Sequence, residues 1–332
     1  MSPLLFANFG GEEGDSAVVK DLRPVLRNLR DAWAQIFTAG HAFDDVNPLA
    51  LVAWLNTPRA LGEAHSSQRS LFGAPPEVVD VVHDKAFCAA VVAAHHLLPE
   101  EVQKFITVLD PADLDVESMA RAVAQAPLWS DDDANRGFAF KPRFGSSGRG
   151  RVDSRRPRSE WESALPRLKA RGGVIVEPWF KRLLDLSAQW RVTDDGRIVL
   201  LGTTTARTSP AGLWQGAEMV IDDDGIPRSL GSAPAGQPQV SPWDRQLVDQ
   251  SLLVVKAAAQ AGYRGPCGVD AFVLLGPGGG SLLRLVELNA RFTAGLVAVC
   301  LARGRKPAGG SALIFDPATS STLFSRSTVP SE

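Results

Sequence analysis

Four residues could do chemistry together: Asp270, Glu287, Asn289 and Lys141. Asp270 lies in GVDAFVLL, and Glu287 and Asn289 lie in SLLRLVELNARF, two apolar segments joined by the turn GPGGG. With Gly276 and Ser281 as the ends of that turn, Asp270 falls opposite Glu287. Side chains alternate along a strand, so Glu287, Asn289 and Arg291 project from one face, and Val286, Leu288 and Ala290 from the other. Two carboxylates placed opposite each other repel in a plain sheet. Together with an amide oxygen they suit a hard divalent cation, Mg²⁺, with phosphates completing its shell. A solvated strand face carries the same pattern, and at this point both readings stand.

Lys141 belongs to FAFKPRFGSSGRG, residues 138–150. The lysine precedes the glycines, so this is not the order of a P-loop. Phe138 and Phe140 share one face of the expected strand while Lys141 and Arg143 share the other. The lysine can then face a cleft while the phenylalanines enter a core. Backbone N–H groups of Gly145, Ser146, Ser147 and Gly148 can approach phosphate oxygens where no Cβ intervenes. From 141 to 171 there are ten Lys or Arg against three Asp or Glu. A phosphate-covering loop and a solvated basic linker both fit that composition. A nucleic-acid arm fits poorly, because Trp161 and Phe144 are the only aromatics there to stack on bases.

These residues need elements to hold them. LLFANF (4–9) reads as a first strand ending at Gly10 and Gly11, followed by a helix with Leu22, Leu26, Leu29 and Trp33 at helical spacing. LALVAWL (49–55) reads as a strand or a short buried helix. An alanine-rich helix covers 84–98, and another lies near SEWESALPRLKARGG. In VIVEPWF the strand Val174–Val176 ends at Glu177 and Pro178, whose ring fixes a bend, leaving backbone groups free to read a base edge. Alternation predicts antiparallel strands at 185–192 and 198–206; Asp185, Ser187, Gln189 and Arg191 form one polar face. A helix is expected over 242–262, with Ser241 as N-cap and Gly262 just past its end. Residues from about 316 read as a Ser/Thr-rich mobile tail.

The 332 residues suffice for two domains, and 45% hydrophobic with 22% charged is an ordinary globular balance. A net charge of −2 gives no basic field for nucleic acid. Cys88, Cys267 and Cys300 are far apart, as reduced thiols rather than a disulfide or zinc frame. No apolar run is long enough for a membrane span, and the N-terminus lacks a positively charged start. The expectation is a cytoplasmic protein without membrane or nucleic-acid partners.

The order of the pieces resembles the ATP-grasp superfamily: Lys-Pro with a Gly/Ser loop, then VIVEPWF, a polar-faced strand, GVDAFV and VELNAR. The E-x-N-x-R form of Glu287, Asn289 and Arg291 is its most specific element, and VVHDKAFCAAVVAAHHLLP resembles the helix that opens the ATP-binding part. The resemblance covers about residues 84–300. It implies a mixed α/β (α+β) ATP-grasp fold: an N-terminal α/β domain over 1–83, an ATP-grasp domain over 84–310 with a mobile lid subdomain at about 128–180, and a tail over 311–332. Lys141 would contact phosphates, with Lys85 adding a contact and Gly145, Ser146, Ser147 and Gly148 covering them. Glu177 and the backbone around Trp179 would hold adenine and Asp185 the ribose. Asp270, Glu287 and Asn289 would bind Mg²⁺ or Mn²⁺, and Arg291 would face the reacting phosphate. The activity implied is an ADP-forming ligase joining a carboxylate, through an acyl phosphate, to an amine; small molecules or peptides are the substrates, and a homodimer is compatible. A small-molecule kinase and a non-catalytic nucleotide-binding protein are the alternatives. Arg207, in TTTARTSPAG, could hold a substrate carboxylate, and Gly10 and Gly11 an amine.

Overall fold

A computed structural model describes residues 5–7, 19–37, 42–124, 137–145, 150–208, 214–231, 238–276, 279–305, 310–318 and 324–326. The chain divides into two compact units: 1–83 with 185–271 and 288–332, and 84–184 with 272–287.

In the first unit β1 (Leu5–Ala7) pairs in parallel with β2 (Leu51–Ala53), so the segment 49–55 has a short strand, not a helix, at its centre. Helices α1 (Val19–Gln35), α2 (Pro58–Ser66) and α3 (Pro76–His83) accompany them. Thr57 caps α2 by accepting from the Ala60 N–H, with Pro58 at the first position, where no N–H is needed.

The second unit holds α4 (Lys85–Ala94), α5 (Glu100–Gln103), β3 (Thr107–Leu109), α6 (Val116–Ala124), β4 (Phe138–Pro142), β5 (Val152–Asp153), α7 (Arg158–Ala170) and β6 (Val174–Pro178). Its antiparallel sheet has the order β3-β6-β4-β5. Phe138, Phe140, Val174 and Val176 lie on one face and join Trp161 and Leu168 of α7 in a core. Each such side chain contributes on the order of 1.5–3 kcal/mol by leaving water. Gly173 makes the entry to β6 possible: its φ is +91°, and a Cβ there would meet the Leu109 carbonyl oxygen at 2.1 Å.

The remaining elements are β7 (Arg182–Val192), β8 (Ile198–Thr208), β9 (Trp214–Ile221), β10 (Pro227–Ser229), α8 (Asp244–Gln260), β11 (Gly265–Leu275), β12 (Ser281–Asn289), α9 (Ala294–Arg305), β13 (Ala312–Phe315) and β14 (Phe324–Arg326). The large sheet runs β12-β11-β7-β8-β9-β13-β14, with β10 on β9. The unit boundaries fall inside β7, β11 and β12. In the first unit an aromatic cluster of Trp33, Trp54, Phe43 and Phe292 packs with the buried side of α9. Trp33 meets Trp54 edge-on at 5.4 Å.

The structure departs from the sequence reading in three places. β6 extends through Glu177 and Pro178, paired with Ala139 and Phe138, so Glu177 sits inside a ladder rather than at a hinge. Helix α8 is N-capped by Trp243, and Ser241, two residues earlier, instead accepts from the Trp243 N–H. Residues 312–315, assigned to the tail, form β13 against β9, and β14 pairs with β13. Gly262 follows α8 with φ +93°, the left-handed position expected of it.

Candidate functional site

The register of the second unit's sheet explains its central charges. Lys141 pairs with Ile175 and Ala139 with Glu177, so Lys141 and Glu177 are diagonal neighbours on the face opposite the Phe138–Phe140 core. Diagonal positions are within reach of long side chains, and the Lys141 ammonium meets Glu177 Oε1. Arg284 of β12 takes the other carboxylate oxygen with both terminal nitrogens. Side-chain exposures of 12% for Lys141, 3% for Glu177 and 5% for Arg284 put the cluster out of bulk water. Burial lowers the Lys141 pKa to about 8; Glu177 opposes that shift, and Arg284 and Arg182 reinforce it. Burial pushes the Glu177 carboxyl upward, but Arg284 and Lys141 outweigh it and hold the group below the usual glutamate value.

Lys85, at the first position of α4, works beside this cluster. Its ammonium donates to the Gly145 carbonyl at 2.6 Å and pairs with Glu287 at 2.7 Å. The preceding Asp84 caps α4 and grips Arg143, which also reaches Asp110. The start of the glycine loop is thereby tied to α4. Lys85, Lys141, Glu177 and Arg284 border one cavity with room for about one water, about 10 Å³. Trp179 donates its backbone N–H to the Gly137 carbonyl at 2.7 Å, and Arg151 and Arg155 lie over its ring at 4.7 and 5.1 Å.

The first unit holds the remaining acidic group. Ser187 Oγ donates to Asp270 Oδ1 at 2.6 Å, Gln189 Nε2 donates to Ser187 at 2.7 Å, and Thr293 Oγ1 donates to Gln189 Oε1 at 2.7 Å. Asn289 Nδ2 donates to Asp270 Oδ2 at 2.8 Å, which commits its N–H and leaves its amide oxygen as a lone-pair donor. Gln189 is fully buried, and a Cβ at Gly268 or Gly295 would stand 2.8 or 2.7 Å from its amide. The polar face of β7 is thus interior, with Arg191 at its far end bound to the Ala42 carbonyl and Asp45. Asp185 accepts from Thr208 at 3.5 Å, Arg207 faces Glu218 and Asp316 at 3.7 and 3.6 Å, and Arg291 donates to the Phe292 carbonyl at 3.3 Å.

No protein-family model and no curated protein sequence matches the chain. Solved structures do match it. One is the biotin carboxylase domain dimer of 2-oxoglutarate carboxylase from Hydrogenobacter thermophilus, in complex with MgADP, ADP and bicarbonate. Its TM-score is 0.52 at 15% identity, over 86% of this chain and 60% of that one. Another is pyruvate carboxylase from Rhizobium etli with its allosteric activator acetyl coenzyme A, with a TM-score of 0.52 at 12% identity over 82% of this chain and 24% of that one. The chain spans less than two thirds of either. These neighbours are ATP-grasp structures. This chain has the ATP-grasp fold.

Within this fold the expected site residues fall into two groups. Lys85, Lys141, Gly145, Glu177, Trp179 and Glu287 belong to the second unit, and Asp185, Arg207, Asp270, Asn289 and Arg291 to the first. Gly10, Gly11, Ser146, Ser147 and Gly148 lie outside the described residues. The proposed donor set of Asp270, Glu287 and Asn289 consists of hard oxygens, as Mg²⁺ requires. Among the described residues no three His, Cys, Asp or Glu side chains gather as a metal cluster by themselves. Sequence reasoning missed Arg284, whose signal was a lone cation in SLLRLVELN on the side expected to face the core. It also missed Thr293, which nothing local marks as the end of the chain of bonds leading to Asp270.

Proposed function

We propose that the chain is an ATP-dependent, ADP-forming ligase that converts a carboxylate into an acyl phosphate and joins it to an amine. One observation carries this reading: beside the glycine loop, a single buried carboxylate, Glu177, stands between two cations, Lys141 and Arg284. A net positive cluster out of water favours an anion, and on an ATP-grasp fold a nucleotide phosphate is the anion of that chemistry. The complex of the Hydrogenobacter domain with MgADP supports the same reading.

In this proposal Lys141 meets the phosphates, and Lys85 sets the root of the loop through Gly145. Trp179 and Glu177 border the adenine, and Asp185 the ribose. Asp270, Glu287 and Asn289 hold Mg²⁺, which when bound offsets phosphate charge. A substrate carboxylate oxygen attacks the γ-phosphorus as the bond to ADP breaks, with Arg291 and Lys141 facing the charge that shifts. The amine then attacks the acyl carbon, phosphate leaves, and the nitrogen loses a proton. Residues 1–83 serve as an accessory domain, and 84–310 carry nucleotide and metal.

ADP release from MgATP, measured against panels of amino acids and short peptides, tests the proposal. ADP should form only when an acid and an amine are both present. ADP formed with a single acceptor would make the chain a kinase. No ADP with any pair, and no MgADP binding at about 1 mM, would overturn the nucleotide reading.

A further inference from the structure

We propose that Arg284 is a positioning residue of the nucleotide site: it holds Glu177 so that the carboxylate does not wholly claim Lys141, leaving that ammonium to meet a phosphate of a nucleoside di- or triphosphate. The inference rests on the nucleotide reading above and gives Arg284, there only one of two cations beside Glu177, a role of its own.

The geometry is specific. Arg284 is 4% exposed and places both terminal nitrogens on one oxygen of Glu177, while Lys141 meets the other. Its guanidinium lies 5.2 Å from the Phe180 ring centroid and 5.8 Å from that of Phe272. Its Nε is buried with no hydrogen-bond partner among the described residues. A planar, weakly hydrated cation stacked on aromatic rings suits this slot; a compact ammonium does not. A cation placed so deep is costly without a counter-charge. Glu177 is that counter-charge, shared with a second cation.

The charged groups around Lys141 come from every neighbouring element: Glu177 of β6, Arg284 of β12, Arg182 of β7, and Lys85 of α4 across the cavity. Only Glu177 among these favours a charged lysine. Burial, with Arg284 and Arg182 adding to it, brings the Lys141 pKa to about 8. A bound phosphate would reverse that balance, so nucleotide binding near pH 8 should draw a proton onto Lys141.

The test is calorimetric titration of MgADP into the full chain at pH 7.5 to 10, in buffers of different ionisation enthalpy, for wild type, Arg284→Met and Arg284→Lys. Phosphate oxygens are already ionised in this range, so proton uptake reports the protein. Wild type should take up a proton with a midpoint near 8. Arg284→Met removes a cation, so the uptake midpoint should rise by about half a unit or more. Its affinity at pH 7.5 should fall on the order of tenfold as Glu177 turns wholly to Lys141. Arg284→Lys, which keeps the charge without the stacked plane, should move the midpoint less than Arg284→Met and recover part of the affinity. If Arg284→Met loses its circular dichroism signature, Arg284→Gln takes its place as the neutral variant. Wild type that binds MgADP, with a neutral variant unchanged in midpoint and affinity, overturns the role of Arg284 alone. Wild type that binds no MgADP overturns the nucleotide reading and this proposal with it.

Discussion

Glu177 in the second unit and Asp270 in the first are placed by opposite means. In the second, Lys141, Glu177 and Arg284 are positioned by charge, one carboxylate between two cations. In the first, Asp270 is positioned by neutral donors, through Ser187, Gln189 and Thr293 in series and Asn289 from the other side. Charge is strong at low dielectric but follows protonation, whereas neutral bonds depend on direction and hardly respond to pH. In the proposed site, a lysine that meets phosphates would benefit from a tunable field, and a carboxylate such as Asp270 that meets a cation would benefit from fixed lone pairs.

Four experiments would break or sharpen that contrast. The largest effect is expected from Asp270→Asn and Glu287→Gln, each of which should reduce Mg²⁺-dependent ADP formation to background with the circular dichroism spectrum unchanged. Near-normal turnover in either would remove it from the metal set. Next, Lys141→Ala should lower kcat on the order of 10²–10³-fold while nucleotide affinity changes much less, because an aimed cation acts most as charge redistributes. A raised KM with unchanged kcat would make it a binding lysine only.

Gln189→Leu should come third. It leaves Ser187 and Thr293 without their partner and should weaken Mg²⁺ dependence about tenfold to a hundredfold, with pH dependence as in wild type. A shifted pH profile would show that the bonds around Asp270 are not independent of charge after all. The smallest effect is on stability against pH. The Lys141 pKa is depressed from 10.5 to about 8, so between those values the unfolded chain binds more protons. Stability should therefore rise with pH from about 8 to 10.5, and this rise should vanish in Lys141→Ala. Glu177 acts at the other end: its lowered pKa contributes stability that is lost as pH falls below the glutamate range.

Local pattern carried part of this. Strand parity put Lys141 opposite Phe138 and Phe140, and the sheet does the same. The apolar segments around GPGGG form β11 and β12, with the Gly276 N–H bonded to the Gly280 carbonyl. What was illegible lies in pairings distant along the chain. Glu177 read as a strand end because Pro178 follows it, yet both pair with β4. Arg284 finds its carboxylate 107 residues away. Residues 312–315, ALIF, are too short an apolar run to stand out beside the polar tail, and only β9 makes them a strand. Trp243 stands as N-cap where Ser241 was expected, and the Ser241 N–H bonds the Ser229 carbonyl.

The slot around Gln189 bears on how such a protein can change over generations. Gly268 and Gly295 both press on that amide, so a methyl at either would meet it below 3.0 Å. Enlarging either glycine first would be selected against, and shortening Gln189 first would take one bond from Ser187 and one from Thr293. Each single step is harmful, although a paired change could be tolerated. The three positions therefore form an epistatic unit. Sequences that depart from glutamine here should depart at a flanking glycine as well.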